Sequence, residues 1–379
     1  LESWPWVPEW GIELSCRLDG LSLLFALLIT GIGALVCAYS GAYMHKHGGG
    51  RRFYPVLAAF MGSMLGVVLA DDLIALFVFW ELTSITSYLL IGFDHEKLGS
   101  RKSALQALLI TGAGGLALLA GLVLLMQATG VSSLSALLGG SFDLPSHALY
   151  PGIVLLVALG AFTKSAQWPF HFWLPSAMVA PTPVSTYLHS ATMVKAGVYL
   201  LARLQPVLSG DPLWPGLLSA VGLMTVLTGA VMAVTQTDLK RLLAYATVAA
   251  LGTMVLLTGI GTEKALAALP VYILGHALYK AALFLVAGLV DMRTKTRDIR
   301  ELGGLWRNMP VTAAAALLAG LSFAGLPPAL GYLAKELTYK AGWAASWSTG
   351  ITAGLLLAKV LLFVVAFQVA VRPLLGAAT

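Results

Sequence analysis

The hydrophobic pattern of this chain is one of long apolar blocks separated by short polar connections. Runs of about 20 apolar residues are long enough to cross the hydrocarbon core of a bilayer as a helix. Such runs lie at 21–44, 53–70, 73–93, 104–126, 148–168, 181–204, 213–235, 241–261, 265–290, 311–337 and 343–371. These eleven segments predict an all-α, polytopic membrane protein. Most run without interruption, but Pro and Gly break 148–168 and 311–337.

The pattern is most disturbed between Gly160 and Leu204, GAFTKSAQWPFHFWLPSAMVAPTPVSTYLHSATMVKAGVYLLARL. An apolar helix places Lys164 where hydrocarbon is expected and is interrupted by Pro169, Pro175, Pro181 and Pro183. It then resumes as a second helix carrying His189 and Lys195. Charges and irregular backbone at membrane depth are tolerated where they line a protein-walled or watery path. Gly320–Glu336, GLSFAGLPPALGYLAKE, repeats the combination of a Gly/Pro interruption and a lysine. Interrupted helices in corresponding places of two halves point to an inverted-repeat transporter. The apolar helices show no repeat of 20 to 50 residues. The expected division is an N-terminal segment with the first helix (1–52), a first repeat region (53–204) and a second (205–379).

Composition agrees with the membrane reading. The chain is 58% hydrophobic and 11% charged, with mean hydropathy +0.85, against about 25% charged residues in soluble proteins. Its net charge of +6 fits basic loops held at a cytoplasmic face; no nucleic-acid motif accompanies it. The loops after the first, third, seventh and ninth segments carry Lys46, Arg51, Arg52, Lys97, Arg101, Lys102, Lys240, Arg241, Arg293, Lys295, Arg297, Arg300 and Arg307. The alternate loops carry Arg203, Lys264 and Lys340. This bias puts Leu1 outside and Thr379 on the cytoplasmic side of a cell membrane. The longest polar stretch, Asp291–Pro310, is short enough to be a loop, so no soluble domain is expected. Leu1–Gly20 lacks the basic and apolar regions of a signal peptide. A start without Met and an end just after an apolar helix suggest a piece of a longer chain.

Candidate chemistry lies in the charges within the apolar runs. Glu81 sits mid-helix in LFVFWELTSITSYLL; its plain role is a helix contact satisfied by Thr83 or Ser84, and its functional role is to hold a proton. Burial penalises the charged form of a side chain and a nearby opposite charge restores it. A carboxylate opposite the buried Lys164 would therefore be a proton switch; the plain alternative is a lysine snorkelling from a helix end. His189 and Lys195, six residues apart, fall on nearly opposite faces of one helix, whereas His276 and Lys280 share a face at i, i+4. Histidine suits a relay because it titrates near neutrality, although a lone helix histidine more often serves as a hydrogen-bond partner. Lys335 and Glu336 follow the Gly-Leu-Pro-Pro break, as a proton exit or an interfacial ion pair. Asp238 reads as an N-cap with Lys240 and Arg241 as cytoplasmic anchors, and Lys240 is a further candidate. His45, His47 and His171 look interfacial, and Asp71 and Asp72 read as a solvated outside turn. Cys16 and Cys37 have no metal or redox spacing. No HExxH, GxSxG, Walker loop or post-strand GxGxxG is present, so neither metal nor cofactor is expected, nor an enzyme.

FVFWELTSITSYLLIGF, the Gly160–Leu204 stretch, DLKRLLAYAT, HALYKAALFLVAG and GLPPALGYLAKE together resemble the antiporter-like family. That family is shared by multisubunit cation/proton antiporters and the proton-pumping membrane arm of respiratory complex I. WELTS, MVKAG and TRDIRELGGL resemble most the large MrpA component of Mrp-type Na+/H+ antiporters. The resemblance implies two inverted five-helix repeats with two broken helices, partner Mrp subunits in a hetero-oligomeric complex, and H+ and Na+ as the transported ions. It implies Glu81 as the pairing glutamate, Lys164 as the lysine of the first broken helix, and His189, Lys195, His276 and Lys280 as a central relay. Lys335 corresponds to the lysine of the second broken helix at the exit. Val179 departs from the family, where a glutamate often stands. MrpA-type chains also continue into further helices concerned with sodium and assembly. The alternatives are a redox-driven complex I subunit, and a scaffold or membrane subunit of an inorganic-carbon uptake complex.

Overall fold

Long uninterrupted apolar runs become long helices. The computed structural model describes residues 2–10, 12–47, 49–345 and 347–375. In chain order its helices are α1 (Gly20–His47), α2 (Gly50–Leu69), α3 (Leu73–Ile91), α4 (Leu98–Thr129) and the short α5 (Leu134–Gly139). Then come α6 (Tyr150–Lys164), the single-turn α7 (Trp173–Ser176), α8 (Thr182–Ser190), α9 (Ala196–Leu208), α10 (Leu213–Val234), α11 (Leu239–Ile260) and α12 (Glu263–Thr294). The set closes with α13 (Leu305–Asn308), α14 (Pro310–Ala324), α15 (Leu330–Trp343) and α16 (Ser348–Ala370). Among the described residues, eight are long and apolar enough to cross a membrane: α1, α2, α3, α4, α10, α11, α12 and α16. The other three expected segments are the interrupted ones.

The interruptions have local causes. α6 stops at Lys164, and two short 3-10 turns and α7 carry the chain past Pro169, Pro175 and Pro181 to α8. Pro183 enters α8 in its first turn, where a missing N–H costs nothing. α14 stops at Gly325, which takes the left-handed φ of +70°, and the chain resumes in α15 after Pro327 and Pro328. So 311–337 is two helices.

A third break corrects the sequence reading. The expected helix 181–204 is divided at Ala191–Lys195, and His189 and Lys195 do not share a helix. Side chains replace the lost helical bonds: Thr192 Oγ1 donates to the Tyr187 carbonyl at 2.7 Å, and Lys195 Nζ to that of Ser190. Nothing in HSATMVKAG announces this, because neither Gly nor Pro lies at the break.

The helices pack through small residues, which allow close backbone approach where lipid offers no hydrophobic drive between helices. α10 and α11 are the closest pair. A Cβ on Gly222, Gly229, Gly252 or Gly259 would lie within 2.6 Å of the facing backbone. α11 is thereby enclosed along almost its whole length, and the interrupted helices gather around it.

The N-terminal stretch departs from an all-α expectation. β1 (Glu2–Val7) pairs antiparallel with β2 (Ile12–Cys16) as a small hairpin outside the helical body. It is anchored by Arg17 N donating to the Leu69 carbonyl and Asp71 N to that of Ser15. Asp71 and Asp72 are also not a solvated turn, for both are buried. Asp72 caps α3 by accepting from the amides of Ile74 and Ala75, and Asp71 accepts from the amide and hydroxyl of Ser135.

Candidate functional site

Five lysines and histidines expected in the interior are almost fully buried: Lys164, His189, Lys195, His276 and Lys280. Lys240, expected as a loop anchor, joins them, because it lies inside the first turn of α11 and is only 2% exposed. Six buried basic groups with so few carboxylates are costly in a low-dielectric interior, and each lysine offsets part of that cost through backbone carbonyls.

Lys164 ends α6 and reaches α3, donating to the Trp80 carbonyl at 2.9 Å and to Ser84 Oγ at 2.7 Å. Its ammonium also lies 5.1 Å from the centre of the Trp80 ring, a cation–π contact. Glu81 stands between these two anchors in sequence but forms no direct ion pair with Lys164. Its Oε1 is buried without a hydrogen-bond partner. The hydroxyls of Thr83 and Ser84 donate to the Trp80 carbonyl and do not satisfy it. The carboxylate sits against Gly115 of α4, where a Cβ would come within 1.8 Å of Oε1. Beside it, Thr163 occupies the space over Gly114, so the two glycines seat Glu81 and the residue next to Lys164.

The remaining groups form a connected set. Lys240 donates to the Ala180 carbonyl at 2.7 Å and Lys280 to the Leu243 carbonyl at 3.0 Å, so both hold the interior around α11. Lys195, between α8 and α9, bonds the carbonyls of Ser190 and Ile273, the latter at 3.3 Å and one turn from His276. Both ring nitrogens of His189 and both of His276 are buried without partners. Lys240 and Lys280 are the charges that act on His189; Lys195, Lys280 and Lys359 are those that act on His276. These neighbourhoods order the groups as Lys240, His189, Lys280 and His276, with Lys195 beside the last.

The ends of the row differ. Lys240 borders an open polar cavity lined also by Tyr43, Asp94, Lys97, Asp238, Asp291 and Arg297, among others. The loops expected on one membrane face therefore converge here. Asp238 is the N-cap of α11, accepting from Arg241 N, and pairs with Arg297 at 3.1 Å; it belongs to the rim. At the far end Lys335 is half-buried and lies 5.2 Å from the Tyr332 ring. It lines a small cavity with His276, whereas Glu336 does not.

This arrangement of broken helices and buried basic groups has relatives. The family described as "NADH:quinone oxidoreductase/Mrp antiporter, TM" matches residues 70–361. The chain belongs to that family. A second family, described as "NADH-Ubiquinone oxidoreductase (complex I), chain 5 N-terminus", matches residues 4–54. The chain is 50% identical over 334 residues to a probable K(+)/H(+) antiporter component, of the A/B type, from Rhizobium meliloti, covering 88% of this chain and 33% of that one. It is 49% identical over 352 residues to the A-type component of the Na(+)/H(+) antiporter of Alkalihalophilus pseudofirmus, covering 89% and 44%. The structure of the Mrp complex from Dietzia sp. DQ12-45-1b contains a chain superposable at TM-score 0.92 with 42% identity, over 99% of this chain and 41% of that one. The chain thus spans less than half the length of these relatives.

Within this antiporter family frame, sequence reasoning passes over one intramembrane charge. Lys359 is the middle residue of the 23-residue α16, and its ammonium lies 5.1 Å from the Tyr272 ring. Its signal is the one that marks Glu81, a lone charge in an apolar run.

Proposed function

We propose that this chain forms the proton-translocating part of a multisubunit monovalent cation/proton antiporter in a cell membrane. The observation that carries the reading is the buried row of titratable groups in which both histidines have every ring nitrogen unpartnered. Buried polar groups are ordinarily satisfied. Two free imidazoles between lysines are what a proton relay needs, because each must accept on one side and release on the other.

Protons move along Lys240, His189, Lys280 and His276, with Lys195 holding charge beside the path and Lys335 at its end. Lys164 and Glu81 gate the row. When Glu81 is ionised it draws the Lys164 ammonium; when it is protonated the attraction is lost and Lys164 is free to release its proton inward. The coupling is electrostatic and needs no redox centre in this chain. The loops around the Lys240 cavity lie on the cytoplasmic side by the positive-inside rule. Leu1, expected outside, and Thr379, expected on the cytoplasmic side, lie outside the described residues. Partner subunits of the Mrp type would supply the cation route, Na+ or K+, and complete the complex. The two breaks after the 15-residue helices α6 and α14 support a division into related halves at 53–204 and 205–379.

The test is dissipation of a pH gradient in inverted vesicles carrying the complete complex. Exchange that requires Na+ or K+ is expected. Proton movement indifferent to both cations and driven by NADH would assign the chain to a complex I-like pump instead. No proton movement under either condition would leave it a scaffold.

A further inference from the structure

Past His276 the proposed row meets a small cavity that holds more than Lys335. Its walls come from α12 (Tyr272, His276, Tyr279), the end of α14 with Gly325, α15 (Lys335) and α16 (Lys359). It has room for a water molecule. No carboxylate lines it, yet two lysines and a histidine do. Among the described residues, neither lysine is ion-paired with a carboxylate. Each rests over a ring instead, Lys335 over Tyr332 at 5.2 Å and Lys359 over Tyr272 at 5.1 Å. Lys335 is bent over the break, its Cδ only 3.0 Å from where a Cβ on Gly325 would stand.

We infer that Lys359 is a further proton-carrying residue of this pathway, sharing a terminal, water-sized cavity with Lys335 and His276. The inference rests on the proposed antiport. A lysine at the centre of a spanning helix is expensive unless it serves a path or finds a partner, and a half-buried ammonium over one tyrosine is a thin partnership. Two ammonium groups facing one carboxylate-free space also repel. A proton passed from His276 through the water to the neutral amine of Lys359 forms one N–H bond and breaks another. The new charge then favours loss of the proton on Lys335. Two lysines around one cavity therefore convert arrival into release, a step that one lysine cannot perform.

The experiment compares Lys359→Gln, Lys359→Arg and Lys359→His in the complete complex, with assembly checked by co-purification of the partner subunits and exchange read in inverted vesicles. Arginine keeps the charge and the contact with Tyr272 but does not release its proton. The expected result is an exchange rate at least tenfold lower for both Gln and Arg, with partial activity for His. Wild-type exchange with Arg would overturn the inference, leaving Lys359 a fixed charge; wild-type exchange with Gln would also overturn it. If Gln prevents assembly, the comparison of Arg with wild type decides alone. Absence of cation-dependent exchange in the wild type would overturn the antiport reading and this inference with it, whereas exchange in both wild type and Lys359→Gln overturns the inference only.

Discussion

Lys164 is bonded to α3 on both sides of Glu81, at Trp80 and Ser84, and not at Glu81 itself. The lysine is therefore held by neutral oxygens, while the carboxylate it would neutralise stays unpartnered at Oε1. In the proposed switch, the ion pair between them forms and breaks as Glu81 loses and gains its proton. Glu81→Gln keeps the shape and removes the charge. The expected outcome is loss of cation-dependent exchange by at least tenfold with normal amounts of complex in the membrane. Lys164→Ala should do the same, and full exchange by either variant in vesicles would remove the switch from the scheme.

The seat of the carboxylate can be tested apart from its charge. A methyl group at Gly115 would collide with Glu81 Oε1, the far end of a flexible side chain, whereas one at Gly112 on the same helix meets nothing within 4 Å. Gly115→Ala should assemble and fall several-fold in exchange rate, because the carboxylate must turn away from its seat. Gly112→Ala should behave as wild type. Equal activity of the two alanine variants would show that the position of Glu81 is immaterial.

The helical body is legible in the sequence because lipid exposure forces long apolar runs. The buried basic groups are legible because a charge in such a run stands out against hydrocarbon. Glu81, Lys164, His276 and Lys280 stand out in this way. Lys240 is only half legible, since its neighbours Asp238 and Arg241 give it the look of a helix-end anchor; only the fold shows it buried against the polar cavity. The break at Ala191–Lys195 is illegible for a different reason. It is made by Thr192 and Lys195 bonding carbonyls across it, a tertiary substitute for Pro or Gly that leaves no local mark. Asp71 and Asp72 look solvated because adjacent acids in a short connection usually are, and their partners lie across the turn in α5 and the amides of α3.

The ion pair between Asp19 and Arg203 ties the start of α1 to α9, with contacts of 2.5 and 3.0 Å. The loop pattern counts Arg203 as an outside cation, but it lies within α9 and is buried. Its hydrogen bonds hold the Asp19 carboxyl well below the usual carboxylate range. A folded-state pKa depressed in this way contributes stability that is present above the unfolded value of about 3.9 and lost as pH falls further. Thermal melts of the purified complex should thus show Asp19→Asn less stable than wild type at pH 7. The gap should close progressively below about pH 4. A gap that stays constant down to pH 3 would mean that the pair contributes nothing through its charge.

Lys195 tests whether the third break is held by the lysine or only occupied by it. Its ammonium supplies the donor for the Ser190 carbonyl, left free where α8 ends, and for Ile273 on α12. Lys195→Met matches the length of the side chain but leaves the Ser190 carbonyl without a donor, at about 1–3 kcal/mol, whereas the Ile273 carbonyl, inside α12, keeps its helical amide. The expected result is a clear drop in melting temperature together with reduced exchange. Lys280→Met removes a donor from the Leu243 carbonyl, which Thr247 Oγ1 still bonds, so it should lower exchange with a smaller thermal effect. The ratio of the two readouts separates the roles: a lysine that mainly braces the break loses stability first, and one that mainly carries protons loses transport first. Equal melting temperatures for Lys195→Met and wild type would show that the backbone at 191–195 holds its shape without the lysine.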